Sequence, residues 1–180
     1  MRAKDSTGNY STSMTLFVAT EGMTTGFTTI ATSTQAPGFT GTKTNVSVSG
    51  SVLRLTDPEA NLEGEYEFDN PVDMGTVKTR RVEVDVQVIN YVANDLIGSR
   101  GNVDSWDSVD GSIVNDCDAT VYVATTNDDP AGTPVYGEWT PFFVADLTCR
   151  AMKFKIKLES GSTTNNLDVS LLTVHVKEAV

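Results

Sequence analysis

The sequence predicts an all-β domain, an antiparallel β-sandwich or jelly roll, and three observations carry that expectation. From Met152 to Glu159 the chain alternates without a break: Met152, Phe154, Ile156 and Leu158 fall on one face, and Lys153, Lys155, Lys157 and Glu159 on the other. Successive strand side chains point to opposite faces, so this is a half-buried strand with a charged outer side. A second alternator runs from Thr79 to Tyr91, with Val82, Val84, Val86 and Val88 inward and Glu83, Asp85 and Gln87 outward. Between such segments stand Gly, Asn, Asp and Pro clusters, and no segment has the period of a helix longer than a turn or two. An apolar sheet face needs a second layer, hence the sandwich.

In chain order, residues 1–13 are polar and include the turn-forming Ser6-Thr7-Gly8-Asn9. Met14 to Ala19 is a short apolar run, either a strand or a strand-like packing segment. Residues 14–44 are rich in Thr, Ser and Gly and read as an extended connector with little structure of its own, lying along the main domain or along neighbouring subunits. The domain itself is expected over residues 45–180. Asn45 to Thr56 holds Val46, Val48, Val52, Leu53 and Leu55, and its inward parity changes beside Gly50, which signals a bulge or a change of strand. Gly64 to Phe68 is a short aromatic strand, and Val72 to Gly75 a turn or corner. Residues 93–118 form a long acidic excursion. Ala119 to Thr126 is a strand, Asn127 to Thr133 a turn, and Gly137 to Val144 an aromatic strand carrying Trp139, Phe142 and Phe143, with Trp139 expected in the core. Gly161 to Asn166 is a hairpin-like turn. Leu167 to Val176 closes the domain, with a parity shift at Leu171-Leu172.

Composition narrows the function. The chain has 180 residues, of which 39% are hydrophobic, enough for one core. Its formal net charge is −11 and its pI about 4.4. Such a surface repels phosphate backbones and anionic bilayers, so nucleic acid and membrane insertion are not expected. No stretch approaches the roughly 20 apolar residues of a membrane span, and the start lacks a signal-peptide core. The expectation is export by another route, such as lysis, or a fragment of something longer. Cys117 and Cys149 are the two cysteines; unpaired thiols on neighbouring strands are the plainer reading, a disulfide the other. With one histidine in the chain, a zinc-type site is not expected.

Candidate site residues are few. In the excursion, Asp104, Trp106, Asp107 and Asp110 combine hard oxygen ligands with an aromatic ring. Asp104, Asp107 and Asp110 are a weak Ca²⁺ candidate whose spacing misses the Asp-x-Asp-x-Asp-Gly pattern, so a solvated acidic loop competes with it. Trp106 suits stacking on a sugar ring, or partial core packing. Arg150 is expected to pair with Asp146 or with an acidic residue on a neighbouring strand, and is also a ligand candidate. Glu63, Glu65 and Glu67 share one outward face, which is ordinary for a solvated strand. His175 faces away from Leu172, Val174 and Val176 and has no serine or cysteine nucleophile beside it. No catalytic residue, and hence no enzyme, is expected.

Three segments taken together add a resemblance. Ala3-Lys4-Asp5-Ser6-Thr7-Gly8-Asn9-Tyr10-Ser11 resembles the last strand of a fibronectin type III module. Gly64-Glu65-Tyr66-Glu67-Phe68 with Val72-Asp73-Met74-Gly75 resembles a "Gly-x-Tyr-x-Phe … Val-Asp-Leu-Gly" pattern. Val121 to Pro130, Trp139-Thr140-Pro141-Phe142 and Cys149-Arg150-Ala151-Met152-Lys153-Phe154 follow in the same order. That order is similar to the C-terminal region of the tail-tip host-specificity proteins, or central tail fibres, of tailed bacteriophages. Its later segments are also similar to a discoidin-type or galactose-binding-like jelly roll. The resemblance implies a virion tail component made in the bacterial cytoplasm, homotrimeric about the tail axis. Its partners would be other tail proteins and a host receptor or glycan, and its role structural and receptor-binding rather than catalytic. A carbohydrate-binding module of a secreted bacterial protein is the alternative.

Overall fold

The computed structural model describes residues 26–93 and 116–179. Among them the regular structure is all strand: β1 (Phe27–Thr34), β2 (Thr42–Thr44), β3 (Val46–Ser49), β4 (Val52–Leu55), β5 (Glu63–Glu67), β6 (Val72–Val92), β7 (Cys117–Thr126), β8 (Thr140–Pro141), β9 (Val144–Ser160) and β10 (Asn165–Ala179). Every pairing is antiparallel, and the strands form one continuous sheet that folds back on itself. The first layer is β8, β7, the C-terminal half of β9, β5 and β2. The second is the N-terminal half of β9, β6 and β10, with β4–β3 and β1 side by side along the far edge of β10.

β9 is long enough to serve both layers, and its sequence shows where it turns. Cys149 and Ala151 are buried, and then Met152, Phe154, Ile156 and Leu158 are buried on the opposite parity. The switch at Ala151-Met152 is the corner. β6 turns beside it: its register against β9 slips between Asp73 and Lys78, where Gly75 has φ +74. A left-handed backbone is steeply unfavourable for most other residues, which accounts for glycine there. The corner expected at Val72–Gly75 therefore lies inside one bent strand.

Between the layers Tyr66, Phe68, Phe154, Ile156 and Leu158 meet Val82, Leu167, Leu172 and Val174. Aromatic rings chain through the first layer from Phe39 edge-on to Tyr66 (5.5 Å), then to Phe68, Phe154 and Phe142. The parity changes read from sequence are real. At Gly50-Ser51 the chain changes strand through a two-residue turn with φ 59° and 72°, joining β3 to β4. Two consecutive left-handed residues match the right-handed twist of a tight hairpin. At Val169/Leu171, β10 bulges against β6.

Three expectations need correction. Within the expected connector, residues 27–34 form β1 on β10 and 42–44 form β2 on β5, while Phe39 is wholly buried. The threonines that suggested a linker are good strand residues, and the apolar anchor among them is single. Trp139 is not in the core: it lies half-buried on the outer side of the first layer, its ring 5.1 Å from the Lys155 ammonium. Of the expected aromatic strand only Thr140–Pro141 pairs with β7, and Val144 already belongs to β9; Pro141 has no N–H to give to a longer ladder. Last, Val88 is 37% exposed, and Val86 half-buried, although their parity is inward. β9 accompanies β6 only as far as Glu83, so beyond that point the inward face looks into an open groove.

Candidate functional site

The sequence-predicted site residues separate into two groups. Asp104, Trp106, Asp107 and Asp110 lie outside the described residues, and with them the Ca²⁺ candidate. Arg150 is described, and its role is clear. Its guanidinium Nη2 stands 2.6 Å from Asp129 Oδ2 and its Nε 3.7 Å from Asp73 Oδ1. Asp129 belongs to the turn after β7 and Asp73 to the start of β6, so Arg150 ties both to β9 at the corner. The Asp129 carboxyl is held below its usual pKa, first by the Ala131 backbone N–H and then by Arg150. Of the two expected partners, the neighbouring-strand carboxylate is found. Asp146 instead meets Arg81 at 3.3 Å.

The outer face of the first layer is a ladder of neutralised charges. Lys153, Lys155 and Lys157 reach Glu67, Glu65 and Glu63 at 3.2, 2.9 and 2.9 Å. The register sets this up, since β5 and β9 pair Glu67 with Lys155 and Glu65 with Lys157, and each lysine reaches diagonally. The Lys157 ammonium pKa is raised by hydrogen bonds to Glu159 first and Glu63 second. Lys155 also lies over Trp139 and Tyr122, so one face of each ring is taken. On the outer face of the second layer, His175 stands 3.2 Å from Asp85 and 3.3 Å from the Thr32 hydroxyl. A nucleophilic relay needs N–H donors aimed at a developing oxyanion. Here the surrounding backbone of β1, β10 and β6 is engaged in its ladder. Asp85 and Thr32 are exposed, which describes a solvated cross-strand row.

Both cysteines are unpaired, as the plainer reading had it. Burial pushes both thiols above the ordinary value of 9.0. Among the described residues no group of three or more His, Cys, Asp or Glu is placed to hold a metal ion. Among them also, no helix is long and apolar enough to cross a membrane.

A pocket that sequence reasoning missed lies at one end of the second layer. Arg54 of β4, Asp168 of β10 and Tyr91 of β6 project to the same outward side of adjacent strands. The Thr56–Glu59 loop, Ala93 and Asn166 complete a cavity of about 640 Å³. Arg54 Nη2 donates to Asp168 Oδ2 at 3.0 Å, and the guanidinium lies 5.7 Å from the Tyr91 ring centre. Burial raises the Tyr91 pKa, and the Asp168 charge raises it further. Two polar groups of this wall are fully used inside the protein. The Asn166 carboxamide donates to Leu55 O and accepts from the Leu55 and Leu167 backbone amides, standing in for a strand partner where β4 separates from β10. Asp57 caps its own turn through the Glu59 and Ala60 amides. Two atoms are left over: Arg54 Nε and Asp168 Oδ1 are enclosed, with no hydrogen-bond partner among the described residues. An enclosed polar atom left unpaired costs about 1–3 kcal/mol, which the Arg54–Asp168 ion pair beside it offsets.

The acidic excursion leaves and rejoins the described chain at this same end. The Ala93 amide donates to Thr164 O, the Gly161 amide to Asp116 O, and the Asn90 side chain to Cys117 O. The signals for the pocket were weak in sequence, because Arg54, Tyr91 and Asp168 sit far apart in the chain and each occupies an ordinary outward strand position. Comparison with known proteins finds no family model that matches the chain and no similar curated protein.

Proposed function

We propose that this chain is a structural and receptor-binding component of a bacteriophage tail tip, acting in host recognition or adsorption and not as an enzyme. The observation that carries the reading is the meeting of the resembling segments. Gly64–Phe68 covers most of β5, Val72–Gly75 opens β6, Val121–Pro130 is the end of β7 with its turn, and Cys149–Phe154 crosses the corner of β9. Asp73, Asp129 and Arg150, one from each of three of these segments, form a single ion cluster. That residues of three resembling segments bind one another supports reading those segments as one architectural unit. Ala93 and Asp116, which bound the acidic segment, and the polar pocket fall at one end of the sandwich, and contacts in such folds come from the ends of a rigid scaffold. In this reading the protein acts as a homotrimer with other tail proteins in the virion, and a host receptor or glycan is its target.

The test is immunogold labelling of virions produced from the source genome, with antibodies raised against the purified chain. Gold confined to the distal end of the tail is expected. Virions that carry no label, with the chain recovered only from the soluble lysate, would contradict the assignment. The alternative of a secreted carbohydrate-binding module shares the fold and gains nothing specific from it.

A further inference from the structure

We propose that the open groove between β6 and β7 binds an extended segment of a partner protein, apolar on the side that enters the groove and carrying Lys or Arg on the side that faces out. Both walls are strand edges with no strand on them. β9 accompanies β6 only as far as Glu83, and β8 accompanies β7 only at Tyr122 and Val123. Residues 85–89 of β6 and 117–120 of β7 therefore have no strand neighbour on this side among the described residues. The chain closes both ends of the opening. At one end the Phe142 amide donates to Val121 O at 2.8 Å and the Val84 amide to Phe143 O at 3.0 Å. At the other the Asn90 side chain donates to Cys117 O at 2.8 Å. From Val84 to Asn90 a strand rises roughly 20 Å, which leaves room for about five residues.

The floor is apolar. Val86, Val88, Ala119, Pro141, Phe142 and Phe143 line a space of about 560 Å³, and Phe143 is 71% exposed. A free edge presents unpaired N–H and C=O groups, which native sheets usually blunt with lysine or cover. Residues 85–89 and 117–120 contain no lysine. An apolar small molecule would fill the floor and leave the edge groups without partners. An extended chain serves both, its backbone on the edge and its alternate side chains in the groove.

Charge selects the partner. Of the carboxylates on the described strands, all but Asp85 and Asp118 are paired with a lysine or arginine. These two lie on the two free edges, and both are exposed. Asp85 has only His175 beside it, and Asp118 accepts from the Ala119 amide and the Thr120 hydroxyl. Opposite charges directly across a strand pair stabilise it, and like charges destabilise it. At a net charge of −11, a second copy of this chain brings more like charge, whereas a basic segment answers both aspartates. The groove shares no residue with the end pocket, so it stands whether or not the tail assignment does.

The experiment is an NMR titration of the ¹⁵N-labelled full chain with three synthetic peptides, capped at both ends. Their sequences are Lys-Val-Lys-Val-Lys, Glu-Val-Glu-Val-Glu and Lys-Ser-Lys-Ser-Lys. The first is expected to shift the amide signals of Val86, Val88, Ala119 and Thr120, and the other two to bind at least tenfold more weakly. Replacing Asp85→Asn and Asp118→Asn together should weaken the first peptide at least fivefold and flatten its salt dependence. Both aspartates are exposed, and mapping on the unaltered protein keeps the test decisive should the double variant fail to fold. The proposal is overturned if the Lys-Val peptide leaves these signals unmoved, if either control peptide binds as well, or if the double variant binds like the original. It is overturned also if the same signals move with protein concentration alone, which would put a second copy in the groove. Nuclear Overhauser contacts that fill the groove from elsewhere in the same chain would overturn it too.

Discussion

At the scale of single residues, the arginine at the corner and a tyrosine of the core hold the sandwich together. Arg150 links β9 to Asp73 and Asp129, and its side chain is three-quarters covered, at 25% exposure. Charge-assisted hydrogen bonds are the stronger kind, but Asp129 is exposed and water screens this pair. Arg150→Ala should lower the urea midpoint, and leave the end pocket unchanged at the opposite end of β7. Tyr66 is buried in the core, yet its hydroxyl donates to Gln35 Oε1 at 2.6 Å and accepts from the Gly41 amide at 3.0 Å. Tyr66→Phe leaves that amide without its partner, at a cost of about 1–2 kcal/mol by the same denaturation measurement. The sequence made Arg150 a candidate because it precedes an alternating strand. It did not say which carboxylates would come near, because Asp73 and Asp129 approach only through the bends in β6 and β9.

At the scale of elements, alternation was the reliable guide and composition the misleading one. β9, β10 and the middle of β6, from Thr79 on, were legible because each shows a period of two against one core. The hairpin at Gly50-Ser51 and the bulge near Leu171 were legible as parity changes. The segment before residue 45 was not, because its threonines alternate with nothing apolar and its one core residue, Phe39, sits in a turn with φ 43. That segment is nonetheless structural. Phe39→Ala should destabilise the fold by about 3–5 kcal/mol, the usual cost of emptying a buried phenylalanine site. Gly41→Ala tests the same segment from the backbone. A Cβ there would stand 2.0 Å from the Glu67 carbonyl oxygen, a backbone atom that cannot swing away. A loss of about 1–3 kcal/mol is expected, read as a drop in the thermal midpoint. The pocket was illegible for the same reason as the corner: its three side chains come from β4, β6 and β10, and only the sheet order makes them neighbours.

At the scale of the whole molecule, the titrating groups set a pH window. Burial raises Cys149 and Cys117 above 9.0, and raises Tyr66, Tyr91 and Tyr136 above 10.0. These groups ionise first in the unfolded chain. Their contribution is complete below the unfolded values and is lost as pH climbs past about 9. Glu83, hydrogen-bonded by Lys177, and Asp129 are lowered from 4.5 and 3.8. Their contribution is present above those values and is lost as pH falls below them. Urea midpoints measured from pH 3 to 11 should therefore form a plateau between about 5 and 8 with a decline on each side, and a midpoint still rising at pH 10 would contradict the thiol and phenol environments. The tail-tip account is tested most directly by competition: adsorption of the parent phage to its host, measured as free virions remaining, in the presence of increasing purified chain. The account predicts that the chain blocks adsorption in a dose-dependent way. Adsorption unchanged at saturating chain would contradict a receptor-binding role.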